Sequence, residues 1–214
     1  MEASPKPPGP QVPPASGGLR FSCTLCGDCC TGNQVVRLCG GDLELLAGYL
    51  GLSVVGELRG RGVHLVRESV GGDRWVWRPR IRFRSKPLRQ CPFLVNDLTQ
   101  ATYRGLCSLH PHHKPLVCTL SPLAREVEET PAGVQERWSV VPPVGGCPGF
   151  GKGEPLPVRA PAALKGRLDA EVAWMRGWIE ASSDLEDEDS AWKALAEFQK
   201  SHRPIQGGGQ ILDA

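Results

Sequence analysis

The chain lacks conventional catalytic equipment. There is no Gly-rich phosphate loop, no G-x-S-x-G, no H-E-x-x-H and no clear pair of carboxylates. Any chemistry it performs must come from a metal centre or from cysteine redox. No apolar run approaches the roughly 18 residues of a membrane helix, which excludes a helical membrane span. A formal net charge of +2 is too small to argue globally for nucleic acid or membrane surfaces. Residues 1–18 hold no apolar stretch of the ~7–15 residues typical of a secretory signal. The expected setting is therefore a reducing cytoplasm with no membrane partner. There, clustered cysteines mean metal or redox chemistry, and the odd count of nine fits complete disulfide pairing poorly.

What the chain does have is sulfur. Cys23, Cys26, Cys29 and Cys30 fall in the run Cys-Thr-Leu-Cys-Gly-Asp-Cys-Cys, too small and turn-like to be core. Thiolates select zinc, copper(I) or iron–sulfur clusters, so a soft metal centre leads. The C-x2-C-x2-C start matches the first three positions of a ferredoxin run. Neighbouring residues point in different directions, so Cys29 and Cys30 are expected to serve different centres or different edges of one. Cys91, Cys107, Cys118 and Cys147 follow, each beside a turn former or in a short loop. Eight thiols suffice for two tetrahedral zinc sites or two four-iron clusters.

The remaining chain reads as a small irregular α+β domain, organised by metal, with a β-hairpin and a helical C-terminal hairpin. Residues 1–19, six of them proline, form an expected disordered leader. Residues 20–153 form the cysteine domain. Residues 154–204 are linker (Pro155 to Pro161) and helical hairpin, and 205–214 a Gly-rich tail. Asp42 reads as the N-cap of a helix presenting Leu43, Leu46, Ala47 and Leu50, closed by Gly51. A hairpin is expected from Val63 to Phe83, turning at Gly71-Gly72-Asp73. On its second arm Trp75, Trp77, Ile81 and Phe83 would share one face, with Arg78, Arg80, Arg82 and Arg84 on the other. From Arg59 to Arg89 ten basic residues face two acidic ones, Glu68 and Asp73. The four arginines are thus a candidate anion or nucleic-acid contact, although a solvated outer edge is the favoured reading. Helical spacing recurs at Leu164, Leu168, Val172, Met175 and Ile179, and again at Trp192, Leu195, Ala196 and Phe198. Between them, Glu186 to Asp189 suits a helix N-terminus better than a magnesium site.

The order C-x2-C-G-x-C-C, V-x-L…D, C-P-F-L, C…K-P-x-x-C…P and C-P-G, from about Phe21 to Gly153, resembles the YkgJ-like cysteine-cluster family. That family is described as carrying a zinc- or iron-chelating domain. The resemblance implies metal ligation by Cys23, Cys26, Cys29, Cys30, Cys91, Cys107, Cys118 and Cys147. Cys39 falls where the family has Ser or Thr and is expected to be a small buried residue. The third segment departs from the pattern at His110, Lys114, Thr119 and Ser121. His110, His112 and His113 are secondary candidates for a zinc ligand. The leading expectation is one or two iron–sulfur clusters of the four-iron type, in redox or cluster-handling work with a redox or protein partner. The alternative is Zn2+ in a binding module that contacts nucleic acid or another anion. A third is a modifying enzyme similar in outline to flagellin lysine-N-methylases.

Overall fold

The computed structural model describes residues 19–32, 34–71, 73–86, 89–97, 104–130, 132–141, 147–159 and 161–202. Among these residues the fold is an α+β mixture with four separate antiparallel strand pairs and a C-terminal helical hairpin. The tail at 205–214 and all but Leu19 of the leader lie outside the described residues. Leu19 begins a strand instead: β1 (Leu19–Phe21) pairs with β8 (Phe150–Leu156). Pro155 is therefore part of a strand and not of a linker; it faces Arg20 across the pair. Proline is tolerated there because a two-stranded sheet is all edge.

The first helix, α1 (Gly40–Tyr49), starts earlier than Asp42. Cys39 is the N-cap and Asp42 the third helical residue, whose Oδ2 accepts the Cys39 N–H at 3.1 Å. The reciprocal arrangement is a capping box in which a thiol takes the place usual for a hydroxyl. At the other end Gly51 N–H donates to Gly48 O and Leu52 N–H to Ala47 O, the paired bonds of a Schellman motif. Leu43, Leu46 and Ala47 are buried, on the expected face.

The expected hairpin is present. β2 (Val63–Ser69) pairs in register with β3 (Trp75–Ile81), and Val36–Leu38 runs along the far side of β3 through Ile81 N–H to Val36 O and Leu38 N–H to Pro79 O. Two further hairpins carry no clear sequence signal: β4 (Leu94–Asp97) with β5 (Arg104–Cys107), and β6 (Leu123–Thr130) with β7 (Gly133–Val140). A five-residue helix, α2 (Leu116–Leu120), lies between β5 and β6.

The C-terminal hairpin comprises α3 (Lys165–Ser182) and α4 (Glu188–Ser201). Asp187 caps α4 by accepting the Ser190 N–H, and Glu188 and Asp189 occupy the first turn, so the acidic run starts a helix as expected. The buried residues of α3 are Leu168, Trp174, Trp178 and Ser182, so the tryptophans, rather than Val172 and Met175, dominate its packing face. Trp174, Trp178, Trp192, Leu195 and Phe198 join Leu43, Leu46, Leu58, Val63 and Val76 in one hydrophobic core. The helical hairpin thus closes the core of the cysteine-bearing region.

That packing redirects the arginines. Val76 on the arginine face is fully buried, and Trp75 on the other face is 42% exposed. Arg78 and Arg80 turn onto Glu68, joined there by Arg37 at 3.1 Å, and Arg78 also reaches Met175 of α3. Of the four expected on one solvated edge, only Arg82 and Arg84 are exposed. The physical reason is that α3 covers this face of β3, so the half-buried guanidinium groups gain from a carboxylate.

Candidate metal centre

The cysteines come from loops whose positions are set by close backbone contacts. Ser22 N–H donates to Gly149 O at 3.1 Å, and a side chain at Gly149 would collide with the Ser22 carbonyl. On the opposite side, Gly105 N–H donates to Leu25 O at 2.7 Å, and Gly105 packs directly on the Gly27 backbone. Leu25 itself has φ 56°, a left-handed conformation uncommon for a residue with a side chain. The loop from Ser22 to Gly27 is therefore clamped between β5 and the turn before β8. Phe21 and Phe150 meet edge to face at 5.4 Å beneath it.

Beyond Gly27, one 3-10 turn (Asp28–Cys30) presents two adjacent thiols. Their sulfurs lie 3.9 Å apart, so Cys29 and Cys30 serve one neighbourhood and do not diverge. The tight turn brings the two side chains to the same side. Cys91 N–H donates to Cys30 O at 2.7 Å, and Cys107 sits opposite Leu94 in the β4–β5 pair. Cys118 is in the middle of α2.

Cys29 and Cys30, with Cys91 bonded to the Cys30 backbone, are the geometric centre of this group, and the neighbouring thiols shift its ionisation. For Cys30 the hydrogen bond with Cys29 lowers the pKa, but the bond to Cys91, burial, and the Cys91 and Cys107 thiols outweigh it, leaving it pushed up to about 12. Cys29 is raised by its hydrogen bond to Cys30 and by burial. Burial raises Cys118 too, with Cys30 and Cys29 adding to the effect. Cys29, Cys30, Cys91, Cys107 and Cys118 thus form an inner group. Outside it, Cys26 Sγ lies 4.0 Å from Cys147 Sγ, and burial pushes Cys26 up to about 11. Cys23 is exposed in the same loop.

Among the described residues, no three His, Cys, Asp or Glu side chains are already arranged to hold a metal ion. The sulfurs approach in pairs. His110 and His113 are bound into the turn after Cys107 through backbone bonds to Cys107 O and Leu109 O, and His113 lies against the Tyr49 ring. His64, which carried no partner signal, accepts from Arg82 Nε at 3.4 Å. Cys39 is buried, as expected, and its Sγ donates to Asp42 Oδ2 at 3.4 Å.

Asp42 is a residue whose role the sequence concealed. It is 2% exposed, and its Oδ1 accepts the Leu116 N–H at 2.8 Å and an Arg167 N–H at 3.2 Å. Arg167 also donates to Lys114 O. One carboxylate therefore joins α1, the start of the helix carrying Cys118, and α3. Burial raises its pKa, against the pull of these donors.

Compared with protein-family models, with curated proteins and with solved structures, the chain matches none.

Proposed function

We propose that the chain is a thiolate metal protein. Its main centre is the inner group of Cys29, Cys30, Cys91, Cys107 and Cys118, with Cys23, Cys26 and Cys147 as an outer group. The observation that carries this reading is convergence: the Cys29 and Cys30 sulfurs meet at 3.9 Å in the 3-10 turn, Cys91 is bonded to the Cys30 backbone, and Cys107 at the end of β5 and Cys118 in α2 come within electrostatic reach of them. Only Cys91 of the five is buried, so apolar packing does not account for thiols collecting from four segments, whereas a soft metal ion needs that donor set. The resemblance to the YkgJ-like family supports the same ligands.

Sulfurs sharing one tetrahedral ion, with bonds of about 2.3 Å, stand about 3.8 Å apart. The two sulfur pairs here stand at 3.9 and 4.0 Å. In a four-iron cluster each thiolate binds its own iron, which spreads the sulfurs further. A zinc ion, the alternative in the sequence reading, accommodates either pair and would act in a structural role. A second reading, one or two iron–sulfur clusters in redox or cluster-handling work, is favoured by the C-x2-C-x2-C run and the Cys-Pro pairs at Cys91 and Cys147. Either centre belongs in a reducing setting such as the cytoplasm. A nucleic-acid interface loses support, because Arg78 and Arg80 are committed to Glu68.

Anaerobic purification followed by a visible spectrum and analysis for zinc, iron and acid-labile sulfide tests this. A colourless protein with one or two zinc ions is the expected result. A broad band near ~400 nm with matched iron and sulfide would establish the cluster reading. Substitution of Cys30 or Cys118 by Ser should remove the main metal, while Cys39→Ser keeps it. A chain that carries neither metal after anaerobic purification sinks the proposal.

A further inference from the structure

The outer pair has a chemistry of its own. We infer that Cys26 and Cys147 form a reversible disulfide, making the outer group a thiol–disulfide switch beside the inner centre. Cys26 Sγ and Cys147 Sγ are 4.0 Å apart, although the residues are far apart in sequence. A disulfide needs about 2.05 Å between sulfurs. Closing the bond therefore requires the two sulfurs to approach by about 2 Å.

The backbone around the pair is already committed. Cys26 lies in the loop clamped by Gly105 and Gly149, and Cys147 begins the turn closed by Phe150 N–H to Cys147 O at 3.2 Å. The β1–β8 pair and the Phe21–Phe150 contact fix the two loops together. Both thiols are partly exposed, so a small oxidant can reach them. The sulfurs of Cys29 and Cys30 are poor competitors: they are adjacent in one 3-10 turn, and a bond between them would close a ring on a single peptide unit. Cys91, the other thiol beside Cys30, is buried and so shielded from the oxidant.

The oxidant is a low-molecular-weight disulfide. One cysteine thiolate attacks a sulfur of that disulfide, whose S–S bond breaks as a mixed disulfide forms and one small thiolate leaves. The second cysteine then attacks the protein sulfur of the mixed disulfide, closing Cys26–Cys147 and releasing the other small thiolate. Two cysteines are oxidised, one small disulfide is reduced to two thiols, and the cysteine protons pass to the leaving groups. Pre-positioning of the second thiol makes the closing step intramolecular and favours the internal bond over the mixed one. If the outer group holds metal, as proposed above, oxidation withdraws two of its donors and reduction restores them.

The test uses the full chain as purified under anaerobic conditions, with metal content measured in parallel, so that the linkage is judged independently of metal content. The protein is equilibrated in glutathione buffers of increasing oxidised fraction, quenched by alkylation, digested and mapped by mass spectrometry. A Cys26–Cys147 peptide, lighter by two hydrogens than its separate halves, should be the first and dominant cross-link. It should revert on adding reduced glutathione and be absent in Cys147→Ser, where Cys26 appears as a glutathione adduct. Recovery of Cys26 linked to Cys23, Cys29 or Cys30, or alkylated as a free thiol in the most oxidising buffer, overturns the inference. A cross-link in a chain that proves to hold no metal would leave the switch standing and remove only the metal reading.

Discussion

At the scale of single residues, the charges that matter are those taken out of water. His64 illustrates the sign. Burial lowers its pKa, and the facing Arg82 and Arg80 lower it further against a small opposing effect of Glu188. The unfolded chain therefore binds a proton more readily than the folded one, and His64 contributes stability above its unfolded pKa of about 6.5 that is lost as pH falls. Urea unfolding at pH 5 and pH 7.5 should show this loss. In His64→Gln the difference between the two pH values should shrink, and an unchanged difference would remove His64 from the account. Cys39 works differently, because its side chain is part of the α1 cap. Cys39→Ser supplies a better N-cap oxygen, so its stability should change by less than about 1 kcal/mol, with metal content unchanged. A loss of metal in this variant would make Cys39 a ligand after all.

Between residues and the whole stand the short elements that carry the thiols. Helix α2 has only five residues, too few to be stable by propensity alone. It is held at its start by Asp42, which accepts the Leu116 N–H, and by Arg167, which binds Lys114 O. Removing the carboxylate orphans two buried backbone donors, at Cys39 and Leu116, and leaves Arg167 without its partner. Arg167 is about one-third exposed, so water screens part of that charge. Asp42→Ala should therefore cost about 2–4 kcal/mol, read as a lower urea midpoint with an unchanged slope. Alkylation of Cys118 in the native chain should become faster as α2 loosens. Asp42→Asn keeps one acceptor oxygen and should fall between the two. A Cys118 labelling rate equal to wild type in Asp42→Ala would show that α2 is held by other contacts.

For the molecule as a whole, four two-stranded sheets cannot each bury a core, since an isolated hairpin is marginal in water. Strands β2, β3 and β4 share a core to which α3 and α4 contribute Trp174, Trp178, Trp192, Leu195 and Phe198, while β7 packs through Trp138 on a second cluster of Leu116, Leu120 and Leu168. The helices also bind the sheet by polar contacts: Trp178 Nε1 donates to Trp77 O, and Arg125 of β6 bonds Glu171 of α3 at 3.0 Å. Residues 1–156 alone should therefore fail to give a cooperative thermal transition, and a protein ending there should show exposed apolar surface by dye binding. A sharp transition in that fragment would mean that the cysteine region folds without its helical cover.

Composition and pattern alone determined the α+β class, the eight clustered and spaced thiols, the β2–β3 hairpin and the two C-terminal helices. Each of these rests on local chemistry: turn formers, periodicity, caps and the donor character of sulfur. Periodicity did not reveal that Asp42 would sit inside α1, because a cap two or three residues upstream produces the same apolar spacing. Nor did it reveal β4 to β7, whose strands are short or largely exposed and so carry weak burial patterns. Tertiary structure decided the rest. Which thiols become neighbours depends on loops clamped by Gly105 and Gly149, contacts between segments remote in sequence. Whether Arg78 and Arg80 meet solvent or Glu68 depends on α3 lying over β3. An amphipathic strand has two faces, and only the packing of a distant helix decides whether the charged one remains in water.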